Sequence, residues 1–260
     1  MLFSRFILRD IYELKDVLCI NNIINTLKDK FRLVIRDRKA SANILASGII
    51  NNLSSDEKKN VLVLGIPRGG IIVADTIATK LNTDILEIVI PRRLLAPNNK
   101  EIAFGAIMED GSEYLDHRMI NSLVIPSDYI EQEKIKQKYE MERLSLLYRN
   151  SKYLMEYSIK IKNADKTIIL TDDGAATGST LICVSRWLKN RNEHKFKKLV
   201  IAVPIAPKKT ANLLKEECDH LEVIFQPSNF QTVSQYYKEF LPLTDKHVFD
   251  VISRWNNTTK

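Results

Sequence analysis

An α/β fold built on a parallel sheet is what this sequence predicts, and three observations carry the expectation. A continuous apolar run of strand length at 61–66 (VLVLGI) is followed by further largely apolar strand-length runs at 85–90 (ILEIVI), 168–171 and 199–204. Runs with no polar alternation suit strands covered on both faces, as in parallel sheets. Stretches with helical periodicity separate them, and such alternation implies right-handed crossovers. Loops rich in glycine, arginine or hydroxyl residues follow three of these runs, after Ile66, Ile90 and Thr171. Ligands of open parallel sheets sit beyond the carboxyl ends of the strands, so three such loops are expected to converge on one site.

In chain order, residues 1–30 read as an amphipathic helical extension, with Leu14, Val17, Leu18, Ile24 and Leu27 near one face. A helical pattern covers 44–53 and a polar loop covers 51–60 (NNLSSDEKKN). The strand at 61–66 leads through a tight turn, 67–70, into a helix over 71–81. The strand at 85–90 leads into a basic loop, 91–100, and a strand over 102–108 ends at a turn marked by Gly111. A long charged helix is expected over 128–149, opened by Asp128 with Glu131 at capping-box spacing. Beyond residue 166 the order is strand, helix (181–188), strand, helix (about 207–218), strand (221–225) and a helical tail over 233–255.

Bulk composition narrows the function classes. The chain has 260 residues, 45% of them hydrophobic, which is enough for one large α/β domain. It contains no uninterrupted apolar stretch of about 18 residues, the minimum for a membrane-spanning helix. Charges interrupt the apolar residues of the first 20 positions, so no signal peptide is read there. Cys19, Cys183 and Cys218 are widely spaced, which argues against a disulfide framework or a zinc site and favours a cytoplasmic location. The net charge of +7 suits anionic ligands, but the basic residues are dispersed and no aromatic stacking pattern accompanies them. Nucleic-acid binding has little support beyond that charge. His117, His194, His220 and His247 are scattered and suggest neither a metal site nor a triad.

The most specific signal is TIILTDDGAATGST at 167–180. An apolar strand runs into two adjacent carboxylates, Asp172 and Asp173, followed by a small-residue loop and a helix start. Amide groups and hydroxyls of such a turn point at one place, where the helix dipole favours an anion. Carboxylates immediately before that cradle suit sugar hydroxyls, so the stretch asks for a phosphorylated sugar. The loop after the first strand, Gly65–Gly70, contributes two glycines that admit close approach and Arg68, which can grip an oxyanion in a bidentate manner.

This stretch resembles the phosphoribosyl pyrophosphate (PRPP) signature of the type I phosphoribosyltransferases. The string PRGG at 67–70, the basic loop at 92–97 with its Ala-Pro, and Glu-x-Ala-x-Gly-Ala at 101–106 are similar to an uncharacterised bacterial and archaeal group of that family. FRLVIRDR at 31–38, AVPIAP at 202–207, Pro227 and YYKEF at 236–240 followed by Asp245 extend the likeness over about 31–254. The chain departs from the group at Leu95 and Asn98, where glycines are expected.

The resemblance implies a doubly wound parallel sheet with a small hood region and a phosphoribosyltransferase domain at 31–260, the helical extension read at 1–30 lying outside it. It implies a transferase that uses PRPP with Mg²⁺, releases pyrophosphate and modifies a small-molecule acceptor. Ala175, Ala176, Thr177, Gly178, Ser179 and Thr180 would hold the 5-phosphate. Pro67, Arg68, Gly69, Gly70 and Arg92 would hold pyrophosphate. Asp172, Asp173, Arg93 and Glu101 would carry the catalytic roles, the acid pair on the ribose hydroxyls and Glu101 as a base or orienting group. No side chain is assigned as a direct metal ligand, Mg²⁺ being held through PRPP near Asp172 and Asp173. Ala176 stands where purine-salvage members often carry an aspartate against the base, which makes a 6-oxopurine acceptor less expected. Tyr236 and Tyr237 are read as helix packing, with stacking on an acceptor ring as the second option. A homodimer is left open. The alternatives are a non-catalytic module that senses PRPP or a nucleotide, and a hydrolase or phosphorylase acting on a phosphorylated ribose compound.

Overall fold

The computed structural model describes residues 34–148, 166–190 and 196–258. The extension expected over 1–30 lies outside them, as does the last residue of the expected charged helix. Five parallel strands form the main sheet: β1 (Val61–Gly65), β2 (Ile85–Ile88), β6 (Thr167–Thr171), β7 (Lys198–Ile205) and β8 (His220–Phe225), in the order β2-β1-β6-β7-β8. The direction of winding reverses between β1 and β6, and it is at such a switch point that loops part and leave a crevice.

Period-two alternation across this sheet builds two cores. Val61 and Val63 of β1, Ile169 of β6 and Val200 and Ala202 of β7 point to one face. Leu62 and Leu64, Ile168 and Leu170, and Leu199, Ile201 and Val203 point to the other. Every one of these side chains is buried, which is why the runs carry no polar alternation. The first face is covered by α1 (Arg38–Asn52) and α3 (Gly69–Leu81), the second by α6 (Ser179–Asn190) and α7 (Lys208–Glu216). The expected parallel α/β fold is therefore the fold found.

A second, antiparallel sheet holds β3 (Arg92–Leu95), β4 (Ala103–Ile107) and β5 (Glu113–Leu115). It packs between α6 and α5 (Ser127–Tyr148), with the short helix α4 (His117–Ser122) beside β4. The basic segment expected as a loop thus begins as a strand. Leu94 is fully buried, and Arg92, Arg93 and Leu94 pair with Ile107, Ala106 and Gly105. The polar segment at 51–60 is also more regular than expected. Helix α1 runs to Asn52, and α2 (Ser55–Lys59) is opened by a capping box in which Ser54 and Glu57 each bond the other's backbone.

The expected helical tail is broken. Residues 233–236 form one 3₁₀ turn, and helix α8 begins only at Asp245 (Asp245–Thr258). The backbone between them is committed elsewhere: Ile35 N–H donates to Tyr236 O, Lys238 N–H to Ile35 O and Glu239 N–H to Arg36 O. Pro242 then lacks a helical donor. These pairings tie residues 35–36 to residues 236–239, beside the carboxyl ends of the strands.

Phe104 on β4 is the largest fully buried side chain and joins the second sheet to the first core. Phe104→Ala is expected to lower the unfolding free energy by about 3–5 kcal/mol. Urea denaturation checks this, and a loss below about 1 kcal/mol would mean that the second sheet contributes little to the core.

Candidate active site at the switch point

In-register pairing places the site. Gly65 ends β1 opposite Thr171 at the end of β6 and Ile88 at the end of β2. Ile66 N–H then donates to Thr171 O and Val89 N–H to Gly65 O, so the three chains leave the sheet at one level. The loop after β1 becomes the N-terminus of α3, and the loop after β6 becomes that of α6. First-turn amides of a helix have no intrahelical acceptor, so two positive helix ends flank the position of Asp172 and Asp173.

Asp173 is clamped. Its Oδ2 accepts from Arg38 Nε at 2.7 Å, with the two side chains 17% and 10% exposed. Arg38 lies over the Phe240 ring at 3.7 Å and donates from a terminal nitrogen to Leu241 O at 3.0 Å. The Tyr237 hydroxyl donates to Asp173 O at 2.9 Å and lies 3.2 Å from Ser41 Oγ. Tyr237 therefore packs, as the first of its two expected roles had it, and it also anchors the site. Tyr236 is buried against Phe225 and Phe230.

Gly69 is required by this clamp. A Cβ there would fall 1.8 Å from Asp173 Oδ2. Asp172 Oδ1 accepts from Asp173 N–H at 2.8 Å. Burial pushes the Asp172 carboxyl well above the usual range, and the Asp173 charge pushes it further, while Arg93 opposes the shift. Burial also raises Asp173, which Arg38 counteracts by charge and hydrogen bonding. Burial thus resists ionisation of both carboxyls, opposed at Asp173 by the charge and hydrogen bond of Arg38 and at Asp172 by the charge of Arg93.

The phosphate-type loop is held from outside. Ala175 N–H donates to Ile205 O at 2.8 Å, so this amide anchors the loop to β7 and is not directed at a ligand. Gly178 adopts φ 77°, where a β-carbon would be strained, and Thr210 Oγ1 donates to Ala176 O at 2.7 Å. Thr177 Oγ1 and Ser179 Oγ are 2.9 Å apart, and Ser179 is buried. Ala176 is exposed, and Thr177 and Thr180 are half-buried at the mouth of α6.

The arginines converge from two loops. The Pro67–Arg68 peptide is cis, and a terminal nitrogen of Arg68 donates to Leu243 O at 2.8 Å. Burial lowers the pKa of Arg92, which feels Glu140 in the opposite sense and Arg93, Arg68 and Arg143 in the same sense. Arg92 Nε donates to Gln137 Oε1 at 2.9 Å. Arg93 is exposed and close enough for its charge to favour ionised Asp172. Glu101 stands apart: it is exposed at the far end of the β3–β4 hairpin, and its backbone N–H donates to Asn99 Oδ1 at 2.9 Å.

Sequence reasoning missed Arg38, Phe240, Arg143 and Gln137. No local pattern signals a pair 135 positions apart, such as Arg38 with Asp173. FRLVIRDR and YYKEF stood out only as segments of the resemblance.

The site is thus an acid pair at the switch point of a parallel sheet, between the loop that opens α6 and several arginines. The chain belongs to the phosphoribosyl transferase domain family, whose model matches residues 35–237. It is 30% identical over 196 residues to MT0597 and to Rv0571c, proteins of two Mycobacterium tuberculosis strains that carry the provisional name phosphoribosyl transferase. That match covers 75% of this chain and 42% of each relative, so the chain spans less than half of their length. The crystal structure of TT1426 from Thermus thermophilus superposes with a TM-score of 0.63 at 27% identity, covering 86% of this chain and 99% of that one.

The raised Asp172 carboxyl has a signed consequence. Ionising it costs more in the fold than in the unfolded chain, so the cost is absent below the ordinary carboxyl range, near pH 4, and grows as the pH rises through it. Asp172→Asn keeps the acceptor for Asp173 N–H and removes that cost. It is expected to melt higher than wild type at pH 7–8 and together with wild type near pH 4. Calorimetric melting across that range checks this; a gain independent of pH, or a loss, would contradict it.

Proposed function

We propose that the chain transfers a phosphoribosyl group from PRPP to a small nucleophilic acceptor and releases pyrophosphate. The observation that carries the reading is the placement of Asp172 and Asp173 between the N-terminus of α6 and the Arg68, Arg92 and Arg93 cluster. A ligand with a phosphate at one end, hydroxyls in the middle and a diphosphate at the other matches that order of groups.

In this reading the mouth of α6, with Thr177 and Thr180, holds the 5-phosphate. Asp173, fixed by Arg38 and Gly69, accepts from one ribose hydroxyl, and Asp172 accepts from the other. Arg68 and Arg92 offset the charge that develops on departing diphosphate, a preorganised electrostatic contribution. Arg93, exposed beside Asp172, balances the acid pair on the open side. Glu101, at the hairpin tip, takes no part in this arrangement.

Magnesium suits the residues present. Among the described residues no group of three or more carboxylate, thiol or imidazole side chains could cage a metal. Asp173 is already paired with Arg38, and Asp172 resists ionisation without a nearby cation. Mg²⁺ is commonly held by one or two carboxylates together with substrate phosphates and water, so Asp172 would be its protein contact. When bound, it would supply charge neutralisation on the diphosphate oxygens.

Purified protein incubated with PRPP, Mg²⁺ and a panel of nucleobases and amines is expected to release pyrophosphate with at least one acceptor, giving a product heavier by a ribosyl 5-phosphate in mass spectrometry. Release without any acceptor would favour the hydrolase, and tight binding without release the sensor. Gly69→Ala drives a methyl group into Asp173 and is expected to weaken PRPP binding at least tenfold by calorimetry. Unchanged affinity would remove Asp173 from the site.

A further inference from the structure

Helix α5 carries two inward-facing polar side chains that neither the acid pair nor the phosphate loop uses. The Glu133 side chain is 3% exposed, and Gln137, one turn further along the same face, is also buried. A carboxylate this deep persists only with hydrogen-bonding partners. Gln137 Nε2 donates to Glu133 Oε1 at 2.8 Å, the Leu95 N–H approaches the same oxygen at 3.4 Å, and Lys136 Nζ lies 3.6 Å from the other oxygen. On the far side of the amide, Gln137 Oε1 accepts from Arg92 Nε at 2.9 Å.

The order of groups gives this relay a direction. An ionised carboxylate only accepts and a guanidinium only donates, so one orientation of the Gln137 amide satisfies both neighbours. Glu133 thereby dictates that the amide oxygen faces Arg92. The arginine benefits from such a tether, because Arg68, Arg93 and Arg143 repel it while Glu140 attracts it. A neutral amide holds the guanidinium without cancelling its charge, and attachment at Nε keeps the two terminal nitrogens as an edge for an oxyanion. The same helix fixes β3 elsewhere, since the Tyr129 hydroxyl donates to Leu95 O at 2.8 Å.

We propose that Glu133, acting through Gln137, is a positioning residue that fixes the Arg92 guanidinium for the diphosphate end of the ligand. The inference rests on the diphosphate reading of the arginine cluster. The full chain and its Gln137→Met, Glu133→Gln, Arg92→Ala and Gln137→Met/Arg92→Ala variants are titrated by calorimetry with inorganic pyrophosphate in Mg²⁺ and, separately, with ribose 5-phosphate. Gln137→Met is expected to weaken pyrophosphate about tenfold, as for loss of one hydrogen bond to a charged donor, and to leave ribose 5-phosphate within about twofold. Glu133→Gln keeps an acceptor but no longer dictates the amide orientation, and is expected to lose about threefold on pyrophosphate alone. The double variant is expected to bind no more weakly than Arg92→Ala, because the relay acts only through that arginine. Unchanged pyrophosphate affinity in Gln137→Met, equal loss of both ligands, or additive losses in the double variant would each overturn the proposal. Should Gln137→Met fail to fold, Glu133→Gln and its combination with Arg92→Ala decide by the same criteria. A wild-type chain that binds no pyrophosphate would overturn the diphosphate reading itself, and this inference with it.

Discussion

Everything at the site depends on the parallel pairing of β1 with β6, which ends with Gly65 opposite Thr171. That register brings the PRGG turn against the acid pair, so Asp173 occupies the space a β-carbon on Gly69 would fill. A shift of one residue along either strand would turn every side chain of that strand to the other face and break both cores at once. The hydrophobic alternation that builds two cores therefore also sets the juxtaposition of the two loops. Stability and site geometry share one constraint, and the site cannot drift while the cores are intact.

Around that point the charges are arranged in opposition. Two carboxylates sit against two helix N-termini, with Arg38 on one side and Arg93 on the other. Arg38 stabilises the Asp173 carboxylate, while Asp172 has a carboxylate neighbour and only the exposed Arg93 to offset it, so its ionisation is resisted. Arg92 is crowded by three arginines in the opposite sense. Each cluster opposes its own ionisation, and a ligand that donates hydroxyls to one and anionic oxygens to the other relieves both. Groups with opposed ionisation of this kind cluster at functional sites, although structural ion-pair networks show them too.

The parts that could be read from the sequence are those whose cause is local. VLVLGI and TIILT announce buried strands because every position must be apolar, and DDGAATGST announces a strand–turn–helix corner because each residue is chosen by its neighbours. Segments that went unread take their conformation from distant partners. Arg92–Leu95 looks like a basic loop until β4 pairs with it and α5 fastens it at Arg92 and Leu95. YYKEF has an amphipathic look but is pulled out of helix by backbone pairing with Ile35 and Arg36. Arg38 was invisible as a site residue because its partner lies 135 positions away. Ser54 and Glu57 are the exception, a local capping box that could have been read and was passed over as a polar loop.

Leu95, one of the two positions where glycine was expected, joins these threads. Glycines would leave that segment free to close over a ligand, whereas here Leu95 is bonded through its N–H to Glu133 and through its carbonyl to Tyr129. The chain has exchanged a deformable segment for a strand clamped by a long helix. Fixing Arg92 in advance would lower the ordering cost of the diphosphate binding proposed above. The C-terminal segment adds a second restraint, since its carbonyls at Leu241 and Leu243 accept from Arg38 and Arg68. The same segment thus links the acid pair, through Arg38, to the arginine cluster, through Arg68, so the two halves of the site are fixed by one stretch of backbone.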